Sequence, residues 1–237
     1  MNILAIETSS LVASAAIVCD DIMIAEYTMN YKKTHSQTLL PMIDEICKMT
    51  EYDINNIDYI AVSAGPGSFT GLRIGSATAK GLGLALNKPL VHVPTAEAMA
   101  YNIYDTKSLI CPIMDARRSQ VYTGIYNNKN GEVQVVKSQC AISIEELTDT
   151  LNFMENNVIF LGDGVPVFAD IIDERLKNPH TYAPAHLNRQ RAGAVAQAAK
   201  RYIAMGRTET AAEHKPDYLR PSQAERELMQ RNGSKEN

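Results

Sequence analysis

AGPGSFTGLRIGSATAKGLGLAL, residues 64–86, decides how the chain is read. Gly65, Pro66, Gly67 and Ser68 make an irregular loop with exposed backbone N–H groups ahead of a helix over about Leu72–Leu86, a geometry that can bind an anion. The Lys-Ser/Thr pair of a Walker A loop is missing. Within the helix, Gly71, Gly75, Ala79 and Gly83 recur every four residues and leave one face almost without side chains. Each interior glycine costs about 1 kcal/mol of helix stability relative to alanine, so the stripe predicts very close packing against another element. That element is either the chain's own sheet or a second subunit.

Working outward, YIAVSA (59–64) reads as a buried strand before the loop, and LVHV (90–93) as a strand after the helix, leading to a helix over Thr95–Tyr101. Upstream, NILAIET, ASAAIVC and IMIAEYTM alternate like strands and predict an opening three-stranded meander. A helix from Ser36 to Met49 follows, with Leu39, Ile43 and Ile46 at helical spacing and Pro41 in its first turn or at a kink. A second half opens near Ser108. LICPIMDA, QVYTGIY and EVQVVKS read as strands, the last two joined by a turn at Asn127–Gly131. IEELTDTLNFM, VIFLGDG, PVFADIIDERL and AGAVAQAAKRYIAM then read as helix, strand, helix, helix. In each half an apolar strand ends on an acid, Glu7 and then Asp115, followed by a polar turn and another strand. The expected organisation is one domain over 1–105, a second over 106–220, and a polar tail over 221–237 that frays.

IETSS (6–10) places an acid and three hydroxyls, Thr8, Ser9 and Ser10, directly after a strand. There they can face a phosphate or form a polar turn without a ligand. MDARRSQVY (114–122) offers Arg117 and Arg118 beside Asp115, suited either to bidentate capture of phosphate or carboxylate or to a plain surface hairpin capped by Asp115. His35, His92, His180, His186 and His214 show no metal-ligand spacing, and His35 reads as a loop or capping residue. No Gly-x-Ser-x-Gly elbow and no nucleophile triad is visible. The four cysteines are far apart and read as buried free thiols.

The chain has 237 residues, 45% hydrophobic and 21% charged, in the ordinary soluble globular class. A net charge of −4 and an aromatic content of 6% without tryptophan argue against a stand-alone RNA-binding module, which needs a basic or aromatic surface. MNILAIETSS has no basic n-region, and no apolar run nears the roughly 20 residues of a membrane span, so a cytoplasmic protein is expected.

ILAIETSS, HSQTLLPMI, AGPGSFTGLRIG, MDARRSQVY and PDYLRPSQAE together resemble the TsaB family, formerly YeaZ, over nearly the whole chain. The resemblance implies a two-domain actin/Hsp70-like (ASKHA) fold, each domain a mixed five-stranded sheet of ribonuclease H type flanked by helices. It implies a non-catalytic subunit that pairs with a TsaD-like transferase and a TsaE-like ATPase. Together these place a threonylcarbamoyl group on adenosine 37 of tRNA, which is reached through the complex. TsaD-like enzymes carry a His-x-x-x-His metal pair after the strand matching Leu90–Val93, and the matching positions here are Thr95 and Met99. No catalytic residue and no metal site is therefore expected. No cofactor is expected in the isolated chain, and ATP or ADP belongs to the complex, with Thr8, Ser9 and Ser10 as weak cofactor-binding candidates.

The partner interface is expected on the two N-terminal helices, through Leu39, Ile43, Ser68, Phe69, Thr70, Gly71, Arg73, Gly75 and Ala79, with a homodimer on the same surface when the partner is absent. Glu7, Asp115, Arg117 and Arg118 are expected to be structural signatures. The competing reading is an autonomous nucleotide-dependent kinase or peptidase of the same superfamily, with Asp115 and Glu7 as its candidate acids.

Overall fold

The computed structural model describes residues 1–220; the expected polar tail at 221–237 lies outside the described residues. The opening meander forms as β1 (Asn2–Glu7), β2 (Val12–Cys19) and β3 (Ile22–Asn30), followed by α1 (His35–Thr50), β4 (Tyr59–Gly65), α2 (Phe69–Leu86), β5 (Leu90–Pro94) and α3 (Thr95–Ala100). The second half holds β6 (Thr106–Asp115), β7 (Gln120–Lys129), β8 (Glu132–Ser143), α4 (Ile144–Met154), β9 (Val158–Leu161), α5 (Val165–Arg175), β10 (His180–Tyr182) and α6 (Ala192–Ala204). The first sheet has the order β3-β2-β1-β4-β5 and the second β10-β9-β6-β7-β8. In both, a three-stranded antiparallel meander continues into parallel strands.

Strand alternation sends Leu4, Ile6, Ala15, Ile17, Ile60 and Val62 to one face of the first sheet, where Leu39, Ile43 and Ile46 of α1 and Ala79 of α2 cover them. The other face, with Ile3, Ala5, Ala16, Val18, Val91 and Val93, is covered by Ala192, Val195, Ala196 and Ala199 of α6. That double cover explains why β2 is buried along almost its whole length, Ser14 included. It also corrects the expected boundary. β6 does begin at Thr106, but α6, assigned from sequence to the second half, packs on the first sheet. From residues 1–105 the short α3 brings Ala98 to that face, most of the cover comes from α6, and α6 is fixed there by the Arg191–Glu26 ion pair and by Ala192 N–H donating to Ser14 Oγ at 3.0 Å. The second sheet packs α4 and α5 on one face and α3 on the other.

One helix start and one strand differ from expectation. α2 begins at Phe69, three residues before Leu72, because Ser68 caps it by accepting from Gly71 N–H at 3.3 Å. β10 was not anticipated; at three residues it is too short to show a period. All four cysteines are free, Cys111 buried and Cys19, Cys47 and Cys140 half-buried. Among the described residues no helix is long and apolar enough to cross a membrane.

Candidate functional site

The glycine stripe of α2 faces the chain's own first sheet. Gly71, Gly75, Ala79 and Gly83 are buried. A Cβ added at Gly71 would overlap the carbonyl oxygen of Thr8, and one at Gly75 would overlap its hydroxyl. Thr8 Oγ1 donates to Gly71 O at 2.8 Å, so the end of β1 and the start of α2 touch backbone to backbone. Gly71, Gly75 and Ala79 are therefore core residues and not a partner surface, and so are Leu39 and Ile43 of α1. Ser68, Thr70 and Arg73 stay exposed and Phe69 half-exposed. The outward face of α2 continues through Ala77, Gly81 and Leu84; Leu84 is 71% exposed, and a Cβ at Gly81 would meet nothing within 4 Å.

Between the two sheets lies a cleft of about 860 Å³. The turn after β1 contributes Ser9 and Ser10, the α2 loop Gly67–Thr70, the end of β6 Asp115 and Arg117, and the turn after β9 Asp163. Glu7 sits beneath it, 1% exposed, accepting from Ser9 N–H at 2.5 Å. Burial pushes its carboxyl above the ordinary range; hydrogen bonds from Ser9 and Ser63 oppose this, and the Asp163 carboxylate adds to it. Asp163 is pushed up in the same way, chiefly by burial, with Arg189 opposing, and its Oδ1 has no partner among the described residues.

The three hydroxyls after β1 do not act alike. Thr8 is spent on α2 and does not line the cleft, which removes it as a ligand group. Ser10 Oγ accepts from Val12 N–H at 3.1 Å, and Ser10 O bonds His35 Nε2 at 2.8 Å, which makes His35 a loop anchor at the start of α1. Ser9 O accepts from Ser68 N–H at 2.6 Å, while Ser9 Oγ is buried without a partner among the described residues. Of the weak cofactor candidates, Ser9 lines the cleft, but its buried hydroxyl lies close enough to Glu7 to oppose the rise of that carboxyl.

Asp115 organises the turn that follows it. Its Oδ1 accepts from Arg117 N–H at 2.7 Å, and Oδ2 lies 3.4 Å from Arg117 Nη1, although the Arg117 side chain is 87% exposed. Arg117, Arg118 and Ser119 have φ of 65°, 56° and 56°, three non-glycine residues running left-handed, each costing about 1–2 kcal/mol. The carboxylate helps hold this conformation, together with Gln120 N–H donating to Arg117 O and Ile144 N–H donating to Ser119 O, both at 3.2 Å.

The cleft is closed on one side by residues 216–220, a stretch that the sequence marks through the family resemblance but not as a wall of a cleft. Asp217 N–H donates to Ala64 O at 2.6 Å, Tyr218 stacks on Phe69 with ring centroids 4.5 Å apart, and Arg73 Nε donates to Tyr218 Oη at 3.3 Å. Arg220 then reaches across to Ala116 O at 3.0 Å. Gly65, at φ 126°, leaves room for the Asp217 carbonyl that a Cβ would strike. An aromatic residue close behind Pro216, in PDYLRP, was the available signal.

At the two TsaD-matching positions, the Thr95 hydroxyl bonds Ser63 Oγ at 2.7 Å and Met99 is buried against the second sheet. Two mixed five-stranded sheets, each running from an antiparallel meander into parallel strands and facing one another across a cleft, form the two-lobed fold of actin/Hsp70 type that the resemblance implies. The family model "TsaD: tRNA N6-adenosine threonylcarbamoyltransferase" matches residues 23–228. The Bacillus subtilis tRNA threonylcarbamoyladenosine biosynthesis protein TsaB is 34% identical over 95% of this chain and 96% of its own length, and the Escherichia coli TsaB 27% over 96% and 98%; the YeaZ structure from Pseudomonas aeruginosa superposes with TM-score 0.79 at 25% identity, covering 92% of this chain and 99% of that one. The chain belongs to the TsaB family, also called YeaZ.

Proposed function

We propose that this chain is a non-catalytic subunit of the machinery that makes threonylcarbamoyladenosine at position 37 of tRNA, and that it works by pairing with a TsaD-like transferase. The observation that carries this is likeness to TsaB over nearly the full chain, at 34% identity, combined with a hydroxyl and a thioether at the two positions where the transferase family carries imidazoles. Neither Thr95 nor Met99 can replace a His pair at a metal. A TsaE-like ATPase is the second protein partner, tRNA is met through the complex, and the chain works in the cytoplasm.

The packing of α2 supports a pairing surface on its outward face: Thr70, Arg73, Ala77, Gly81 and Leu84, joined by Leu40 and Pro41 of α1. Small residues at 77 and 81 let a partner helix approach closely, and exposed Leu40 and Leu84 supply apolar area. Isolated chains would satisfy the same face by pairing symmetrically. The test is co-purification and reconstitution. Wild-type chain, TsaD-like and TsaE-like partners with ATP should yield modified tRNA, and omission of this chain should abolish the yield. Undiminished modification without it would overturn the reading.

The competing reading, an autonomous nucleotide-dependent enzyme, draws on the buried acids Glu7 and Asp163 at the cleft. The cleft lining sets Lys33, Arg117 and Arg220 against Asp115, Asp163 and Asp217, so it offers a polyphosphate no net positive field, and ATP or ADP would need the complex or an accompanying cation. ATP turnover by the purified chain alone, lost in Asp163→Asn, would favour that reading instead.

A further inference from the structure

His92 stands far in sequence from Glu209 and His214, and the three meet at the outer edge of the first sheet. Glu209 pairs with Leu90 of β5 through both backbone groups, Leu90 N–H to Glu209 O at 2.8 Å and Glu209 N–H to Leu90 O at 2.9 Å. This places its side chain beside that of His92. A single turn follows, with His214 N–H donating to Thr210 O at 3.1 Å, and folds the His214 imidazole back onto the same carboxylate. His214 Nδ1 lies 2.5 Å from Glu209 Oε1 and His92 Nδ1 3.9 Å from it; the two rings are edge to face, 5.9 Å between centroids. One ligand atom from each of the three residues falls within 4.8 Å of the others.

We propose that these three side chains bind one divalent transition-metal ion of the zinc class, as a structural clip between β5 and the segment that follows α6. Two imidazoles and a carboxylate are a common zinc donor set, and bonds of about 2.0–2.2 Å set neighbouring donors about 3.3–3.5 Å apart in a tetrahedron. The Glu209–His92 separation has to close and the Glu209–His214 separation to open, each by less than about 1 Å, within reach of side-chain rotation. The ion takes the place of the hydrogen shared by His214 Nδ1 and Glu209. The ring's other nitrogen, Nε2, is buried and has no partner among the described residues.

His214 is fully buried, whereas the His92 and Glu209 side chains are 35% and 24% exposed, which leaves a fourth position toward solvent. The charged neighbours are Lys80, bonded to the carbonyl of His214 at 3.1 Å, and Asp217, which favours a cation. Because Asp217 and Tyr218 follow within a few residues, the clip fastens the segment that closes the cleft. This reading is independent of any transferase activity.

The test is titration of the chelator-stripped full chain with zinc chloride by calorimetry, with cobalt chloride as a spectroscopic probe. About one equivalent of zinc should bind, the unfolding temperature should rise as zinc saturates the site, and cobalt should give the intense visible bands of a four-coordinate site. His92→Gln, at a half-exposed position, should fold normally and weaken zinc by roughly tenfold or more, since even loss of an outer-shell partner costs that much. Glu209→Gln keeps an acceptor for His214 and should weaken zinc likewise. No binding to the wild type, or equal binding by the folded His92→Gln and Glu209→Gln variants, overturns the proposal.

Discussion

Glu7 is the residue where burial and chemistry conflict most openly. A carboxyl of this kind, desolvated and facing a second acid, binds its proton more tightly folded than unfolded. The sign follows from linkage. The folded state holds more protons between the unfolded and folded pKa, so the contribution of Glu7 is fully present below the ordinary glutamate range and is lost as pH rises through the raised folded value. Glu7→Gln keeps an acceptor for Ser9 N–H and removes the titration. The expected result is that wild-type stability, followed by urea unfolding between about pH 4 and pH 8, falls with pH more steeply than that of Glu7→Gln, and that the variant is the more stable near neutrality. Parallel pH profiles for the two proteins would show that the acid is solvated. The sequence marks Glu7 by its place at a strand end. It does not show the facing Asp163, because the two meet only when the second lobe is in place.

At the scale of the element, α2 shows which part of a helix a sequence can announce. The small-residue period states that something approaches closely; which of two neighbours does so depends on how the helix is rotated on its sheet. Thr8 settles it, since its hydroxyl and carbonyl occupy the space a Cβ would need at Gly75 and Gly71. Gly75→Leu should therefore destabilise the isolated chain by about 3 kcal/mol or more through overpacking. Gly81→Leu meets open space and removes a helix-interior glycine, so it should leave stability unchanged or raise it by up to about 1 kcal/mol. The same Gly81→Leu protein should lose the TsaD-like partner by tenfold or more in affinity. Thermal melts of both variants, with co-purification of the second, separate core from surface. A stable Gly75→Leu chain, or a Gly81→Leu chain that pairs normally, would place the contact on another face. The strands and most helices were legible because their apolar periods are long and unbroken. The closing segment was not, since the contacts of Asp217 and Tyr218 rest on backbone pairing and one stacked ring and carry no period.

Over the whole molecule, the chain does not divide where its sequence repeats its plan. It builds the first sheet, leaves it for the second, and returns with α6 to cover the face left open. The return cannot be read from α6 alone: AGAVAQAAKRYIA would suit any flat apolar sheet, and the Glu26 that pairs with Arg191 is one acid among many in the sequence. Ile3, Val18, Val91 and Val93 lie under α6, and burial of each contributes about 1.5–3 kcal/mol. Their sum, about 6–12 kcal/mol, is comparable with the stability of about 5–15 kcal/mol that an entire domain keeps in hand. Residues 1–105 expressed alone should consequently fail to fold cooperatively, despite containing all five strands of the first sheet. The same residues joined by a flexible linker to 190–220 should recover a sigmoidal unfolding transition, because α6 covers the open face and the segment from Glu209 to Tyr218 pairs again with β5, β4 and α2. Circular dichroism melts of the two fragments decide it. A cooperative transition in 1–105 by itself would mean that α6 decorates a lobe already complete, and the boundary after residue 105 would then stand as a true domain limit.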